Sequence, residues 1–279
     1  MRFAICNEIF EGWSHPAICR FIAEVGYKGL EIAPFTLAPR ITEVTAEQRR
    51  QLRQQAADYG IEIIGLHWLL AKTEGFHLTS PDAMVRQKTA DYLKELTRAC
   101  ADVGGEVLVF GSPLQRNLLA GVSTTDGMNY AVDTFRQVLP TVEECMVYLC
   151  LEPLGPVETN FLNTCAEAMA LIGMVDHPRF QLHLDVKAMS SEATPVAELV
   201  RSYAAQTHHF HANDPNKRGP GFGSTDFRPI FKALHEQNYP HWVSVEVFDF
   251  TPDPQTIARE SLRYMQECLP PQKSNRKPS

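Results

Sequence analysis

The chain has 279 residues, 44% of them hydrophobic and 21% charged, which is an ordinary globular composition with enough length to bury a large core. Its formal net charge is −7, and an acidic chain lacks the basic stripe that meets nucleic-acid phosphates. No apolar run reaches the ~20 residues that a membrane helix needs.

Along the chain, short apolar runs alternate with longer amphipathic ones. Residues 2–10 read as strand 1, and 16–25 as a helix stopped by Gly26. Residues 28–33 are strand 2, and 45–59 a helix ending at Gly60; 61–70 are strand 3. Ser80 and Pro81 suit the cap and first turn of a helix that runs to Val103. Strand 4 is predicted over 106–111, with a helix over 129–144. Strand 5 spans 147–153 and is followed by a helix over 164–175. Strand 6 covers 180–186, with a helix over 195–205. Strand 7 covers 207–212, with a helix over 227–237. Strand 8 covers 242–248, and the last helix 254–268.

Eight strand–helix units in strict alternation predict a parallel sheet closed on itself, a single (β/α)8 TIM barrel over residues 1–269. An open doubly wound sheet is the alternative, but no G-x-G-x-x-G follows strand 1. The tail, 270–279, combines Pro270, Pro271 and Pro278 with Lys273, Arg276 and Lys277, has no apolar period, and reads as disordered. The 7 cysteines form no C-x-x-C pair and read as free thiols packed as small hydrophobes. With an N-terminus that lacks a signal pattern, they point to a reducing cytoplasm.

In such a barrel, chemistry gathers at the carboxyl ends of the strands. Strand 5 ends in Leu151-Glu152-Pro153 and strand 6 in Leu184-Asp185-Val186. Strand 7 carries Phe210-His211-Ala212 and strand 8 Val245-Glu246-Val247. Carboxylates among apolar neighbours are costly unless paired or metal-bound. Three converging ones would repel one another, a conflict that a divalent cation resolves. Three oxygens and one imidazole suit Mn2+, Mg2+ or Co2+, and the imidazole tilts the choice toward Mn2+.

With these residues in hand, the chain resembles the sugar isomerase/epimerase superfamily of metal-dependent barrels, and within it the ketose 3-epimerases acting on tagatose and allulose (psicose). The stretches that carry the resemblance are LEPLGPVETNFLNTCAEA at 151–168, HLDVKAM at 183–189, HFHANDP at 209–215 and WVSVEVF at 242–248. The resemblance implies that Glu152, Asp185, His211 and Glu246 bind the metal. It also implies that Glu152 and Glu246 form the acid/base pair, that Glu158 contacts the substrate, and that the protein is a homodimer or homotetramer. Epimerisation beside a carbonyl removes a proton from one face and returns one to the other; two carboxylates and a metal-stabilised enediolate accomplish this. The substrate expected is a small sugar or keto-sugar.

The chain departs from the family pattern on the substrate side. The family's D-x-x-H after strand 6 reads Asp185-Val186-Lys187-Ala188 here, so that histidine is absent and Lys187 is the adjacent donor. Lys217 or Arg218 stands for the family's arginine after strand 7, and the arginine near the strand-5 glutamate is replaced within Leu154-Gly155-Pro156. A metal-dependent lyase or dehydratase on a keto-glycoside or dehydroshikimate-like compound is therefore the second reading. An endonuclease IV-like DNA repair enzyme would use the missing histidine as a zinc ligand. His67 and Glu31 are further candidates for lining the pocket, and Trp68 and Trp13 for an apolar wall. His183 is expected beneath Asp185 on the same strand face. The loop 215–227 reads as a lid ahead of a phosphate cradle.

Overall fold

The apolar runs form eight parallel strands that close in sequential order. They are β1 (Arg2–Cys6), β2 (Gly29–Ile32), β3 (Glu62–Leu66), β4 (Val107–Phe110), β5 (Tyr148–Leu151), β6 (Phe180–Asp185), β7 (Thr207–Ala212) and β8 (Trp242–Val245), with β8 pairing back onto β1. The structure, a computed structural model, describes residues 1–271. The helices are α1 (His15–Val25), α2 (Ala46–Ala57), α3 (Ala83–Asp102), α4 (Thr124–Glu144), α5 (Cys165–Val175), α6 (Val186–Met189), α7 (Val196–Tyr203), α8 (Phe227–Glu236) and α9 (Pro254–Glu267). The architecture is a (β/α)8 barrel, as expected. The tail predicted to be disordered lies, at 272–279, outside the described residues. No described helix is long and apolar enough to cross a membrane.

Local chemistry sets the helix ends. Gly26 closes α1 in the left-handed conformation, and Thr45 opens α2 with a reciprocal capping box to Gln48. Ser80 is not the cap of α3: Asp82 holds that place, accepting from the Met84 amide, while the Ser80 hydroxyl accepts from the Asp82 amide. The fourth helix begins at Thr124, earlier than expected, because Ser123 caps it on Asp126 N. The strands are shorter than the apolar runs. Ile9 and Phe10 continue the first run, but they are buried in the loop after β1 rather than paired in the sheet.

The barrel interior divides into an apolar floor and a polar upper half. Trp242, Ala4 and Ile64 plug the floor, and a Cβ on Gly29 would collide with all three at 2.8–2.9 Å. Above them lie Glu31, His67, His183, His209 and His211, each fully buried. The strand register shifts at Leu30/Glu31 and at Leu182/His183, beside two of these polar residues. The larger apolar core lies between sheet and helices, which leaves the barrel mouth free for chemistry.

Candidate metal and acid/base site at the barrel mouth

Four adjacent strands bring their end residues together. Asp185 ends β6, and its two oxygens are held apart in function: Oδ1 accepts from Ala188 N at 2.7 Å, capping α6, and Oδ2 accepts from Asn213 Nδ2 at 2.5 Å. Asn213 also reaches Glu246 Oε2 at 3.4 Å and so ties the ends of β6 and β8. Glu246 Oε1 accepts from Trp68 Nε1 at 2.7 Å and lies 3.2 Å from His67 Nδ1. Its Oε2 lies 3.1 Å from His211 Nδ1. Glu152 follows β5, with Oε1 3.9 Å from His183 Nε2. Donor atoms of Glu152, His183, Asp185 and His211 all fall within 4.8 Å of one another.

This crowding of acids divides their protonation. Burial pushes the Glu152 carboxyl well above the usual range, and the charges of Glu246 and Asp185 add to it. Burial likewise raises Asp185, to about 6. For Glu246, burial is outweighed by His211 and His67, and its carboxylate is held well below the usual range. His211 moves the opposite way: burial lowers it, but Glu246 and Glu31 outweigh burial and raise it.

The donor set fits a divalent cation. His211 Nε2 lies 3.2 Å from both oxygens of Glu31, so an Nε2–H donating there leaves the Nδ1 lone pair facing the acids. That Nδ1 is buried and faces Glu246 Oε2 at 3.1 Å. A cation bound here would replace a proton between His211 and Glu246 and would relieve the repulsion among the three carboxylates.

A model of the xylose isomerase-like TIM barrel family matches residues 19–268. The chain belongs to that family. The chain is 28% identical over 229 residues to a D-psicose 3-epimerase of Enterocloster bolteae, covering 81% of this chain and 74% of that protein. It is 27% identical over 260 residues to the 3-dehydro-D-guloside 4-epimerase of Escherichia coli K12, covering 89% and 93%. The solved structure of a D-psicose 3-epimerase in the presence of D-fructose superimposes with a TM-score of 0.84 at 21% identity, covering 96% of this chain and 99% of that one.

On this xylose isomerase-like barrel, a cavity of about 350 Å3 opens at the mouth, bordered by Glu152, Glu158, Glu246, His67, Trp68 and Phe248. Glu158 Oε2 accepts from Lys187 Nζ at 2.7 Å, and that ammonium stands 4.8 Å from the Phe248 ring centre. Arg218 turns elsewhere, donating to Asp249 Oδ2 at 3.0 Å and to Thr251 Oγ1. Lys217 sits at φ 71, and its carbonyl accepts from the amides of Phe248 and Asp249. Neither Lys217 nor Arg218 borders this cavity. Their loop is tied to Asp214, whose carboxylate accepts from Thr225 N at 3.0 Å.

One expectation about these glutamates and histidines changes. Glu31 does not line the cavity: it is fully buried and accepts from His209 and His211. His183 lies beneath the acids as expected, but neither ring nitrogen has a hydrogen bond. Three further residues join the site. Asn213 sits two positions after His211, a spacing that points it to the same side. Glu8 accepts from His67 Nε2 at 3.0 Å. Arg116, fully buried, donates to the carbonyls of Gly111, Glu152, Phe161 and Leu162. Glu8 and Arg116 lie in loops after strands and carry no periodic signal.

Proposed function

We propose that this chain epimerises a keto-sugar at a carbon next to its carbonyl, with Glu152 and Glu246 as the acid/base pair and with Glu152, Asp185, His211 and Glu246 holding one divalent cation, Mn2+ first. One observation carries the reading: two buried carboxylates, Glu152 just after β5 and Glu246 just after β8, border the same cavity. Two carboxylates facing one cavity can remove a proton from a bound sugar and return one to it. Bound among these donors, the cation would polarise substrate oxygens and stabilise negative charge beside the carbonyl. Glu246 is oriented by Trp68 and His67 through Oε1 and by Asn213 and His211 through Oε2. Lys187 and Glu158 offer charged hydrogen-bonding groups to the sugar hydroxyls. The xylose isomerase-like relatives named for psicose and guloside epimerisation support the substrate class. Family likeness also supports a homodimer or homotetramer, which light scattering of the purified protein decides.

Deuterium exchange tests the mechanism. Glu152→Gln and Glu246→Gln should each abolish net epimerisation, because the amide cannot take up the proton. Each variant should wash label out of one epimer only, and the preferred epimer should reverse between them. Normal turnover by either variant would refute the two-base mechanism.

A second reading has its own observation. Ala188 occupies the position of the family histidine and is buried, so the reacting end of the substrate meets different chemistry. A lyase or dehydratase acting on a keto-glycoside or dehydroshikimate-like compound abstracts the same kind of proton and then expels a leaving group. Product mass separates the two: an epimerase returns an isomer of equal mass.

A further inference from the structure

Beside the acid/base cavity lies a second one of about 360 Å3, bordered by Glu8, Phe10, Trp13, Phe35 and Phe250. The two cavities share Trp68 and Lys72. Both shared residues adopt left-handed backbone angles, φ 51 and 57, which are uncommon outside glycine and concentrate at functional sites. The Trp68 indole spans the divide. Its N–H donates to Glu246 Oε1, its ring stacks on Phe248 of the first cavity at 5.7 Å, and it leans on Phe35 of the second at 5.6 Å.

One atom on the second wall lacks a partner. Glu8 is 5% exposed; His67 engages Oε2, while Oε1 is buried without a hydrogen bond. A buried acceptor left unpaired is costly until a donor arrives. Its polar neighbours are already committed: Asn7 bonds Thr36 and the Ala33 amide, and His15 bonds the Leu52 carbonyl. Around Glu8, Trp13 and Phe10 meet at 5.5 Å and supply flat apolar faces. A pyranose ring matches this pairing, with C–H faces to lie against aromatics and rim hydroxyls to donate. The Lys72 ammonium, 4.0 Å over Phe35 at the shared wall, disfavours a cationic appendage by like-charge repulsion.

We propose that the substrate is a keto-sugar bearing a second glycosyl residue, the keto ring lying at Glu152 and Glu246 and the second ring in the cavity of Glu8 and Trp13. This rests on the keto-sugar reading above and narrows its substrate class. A single-ring sugar fills one cavity and leaves Glu8 Oε1 without its donor; a two-ring sugar passes Trp68 and supplies one.

The test uses the full chain with Mn2+ in deuterated water and two matched pairs of probes: D-fructose against maltulose, and methyl 3-keto-glucopyranoside against 3-ketosucrose. In at least one pair, the two-ring sugar is expected to exchange with kcat/KM about tenfold or more above its partner, worth about 1.4 kcal/mol. Trp13→Ala and Phe250→Ala should each bring that ratio toward one. Two variants are used because Trp13 also packs on Phe21. Equal or faster exchange of the single-ring member in both pairs overturns the extended substrate and leaves the epimerase reading standing. A ratio unchanged in both folded variants overturns the placement of the second ring. No exchange with any of the four probes sinks the parent reading, and this one with it.

Discussion

A Cβ added to Gly111 would run into Oε2 of Glu152, so the carboxylate proposed as acid/base keeps its place because Gly111, just after β4, has no side chain. Gly111→Ala should force Glu152 out of the proposed acid/base pair. A displacement of ~1 Å at such a group costs about 100-fold in rate, and that is the loss expected in kcat/KM, with the circular dichroism spectrum retained. Wild-type exchange rates in this variant would show that Glu152 is not held by this contact. The four strand-end donors were legible in the sequence, because each sits alone among apolar residues at the end of a run. Glu31 was legible as a barrel residue but not as a partner of His209 and His211. Which layer of a barrel an inward residue occupies depends on register across strands, and here the register shifts next to Glu31.

At the scale of elements, the end of β5 is fixed by an arginine from another loop. Arg116 donates to the Glu152 carbonyl at 2.6 Å and to Gly111, Phe161 and Leu162, and so clamps the exits of β4 and β5 to the loop that precedes α5. Arg116→Met would leave four carbonyls short of a donor in a water-poor interior. The expected loss is about 3 kcal/mol or more, roughly 10 °C in Tm for a domain of this size, with activity falling alongside because Glu152 loses its anchor. Urea unfolding measures it, and an unchanged midpoint would show that the carbonyls find other partners. No spacing rule reveals such a clamp: a lone arginine in a polar loop reads as a solvated surface charge, and only the closed fold shows that it is buried. The eight strands and their order were legible because the apolar runs and helix stops alternate without a break. Their carboxyl ends were not, since residues such as Ile9 and Phe10 stay buried after pairing has stopped.

Closing eight strands into one ring forces three carboxylates and an imidazole into a single water-poor mouth, and the whole molecule carries the consequence as a pH-dependent stability. Burial, with repulsion from Glu246 added, raises Asp185 to about 6 from an ordinary 3.8, and burial raises Glu152 as well. Between the unfolded and folded pKa values, the folded protein therefore holds more protons than the unfolded chain. The contribution of these groups to metal-free stability is thus present at low pH and lost as pH rises through about 6. A divalent cation held by these residues would bind the same oxygens in their ionised form, so its stabilising effect would run in the opposite direction. At a free concentration 100 times its Kd, such a cation would add about 2.7 kcal/mol, roughly 5–10 °C in Tm for a domain of this size. Calorimetry with EDTA or Mn2+ should show that Tm shift near pH 7.5 and its progressive loss toward pH 5. Asp185→Asn should remove most of the shift, because the amide offers the cation a weaker, neutral oxygen and takes up no proton. A Mn2+-induced shift equal at pH 5 and pH 7.5, or one kept in full by Asp185→Asn, would mean that the cation binds elsewhere than among the strand-end carboxylates.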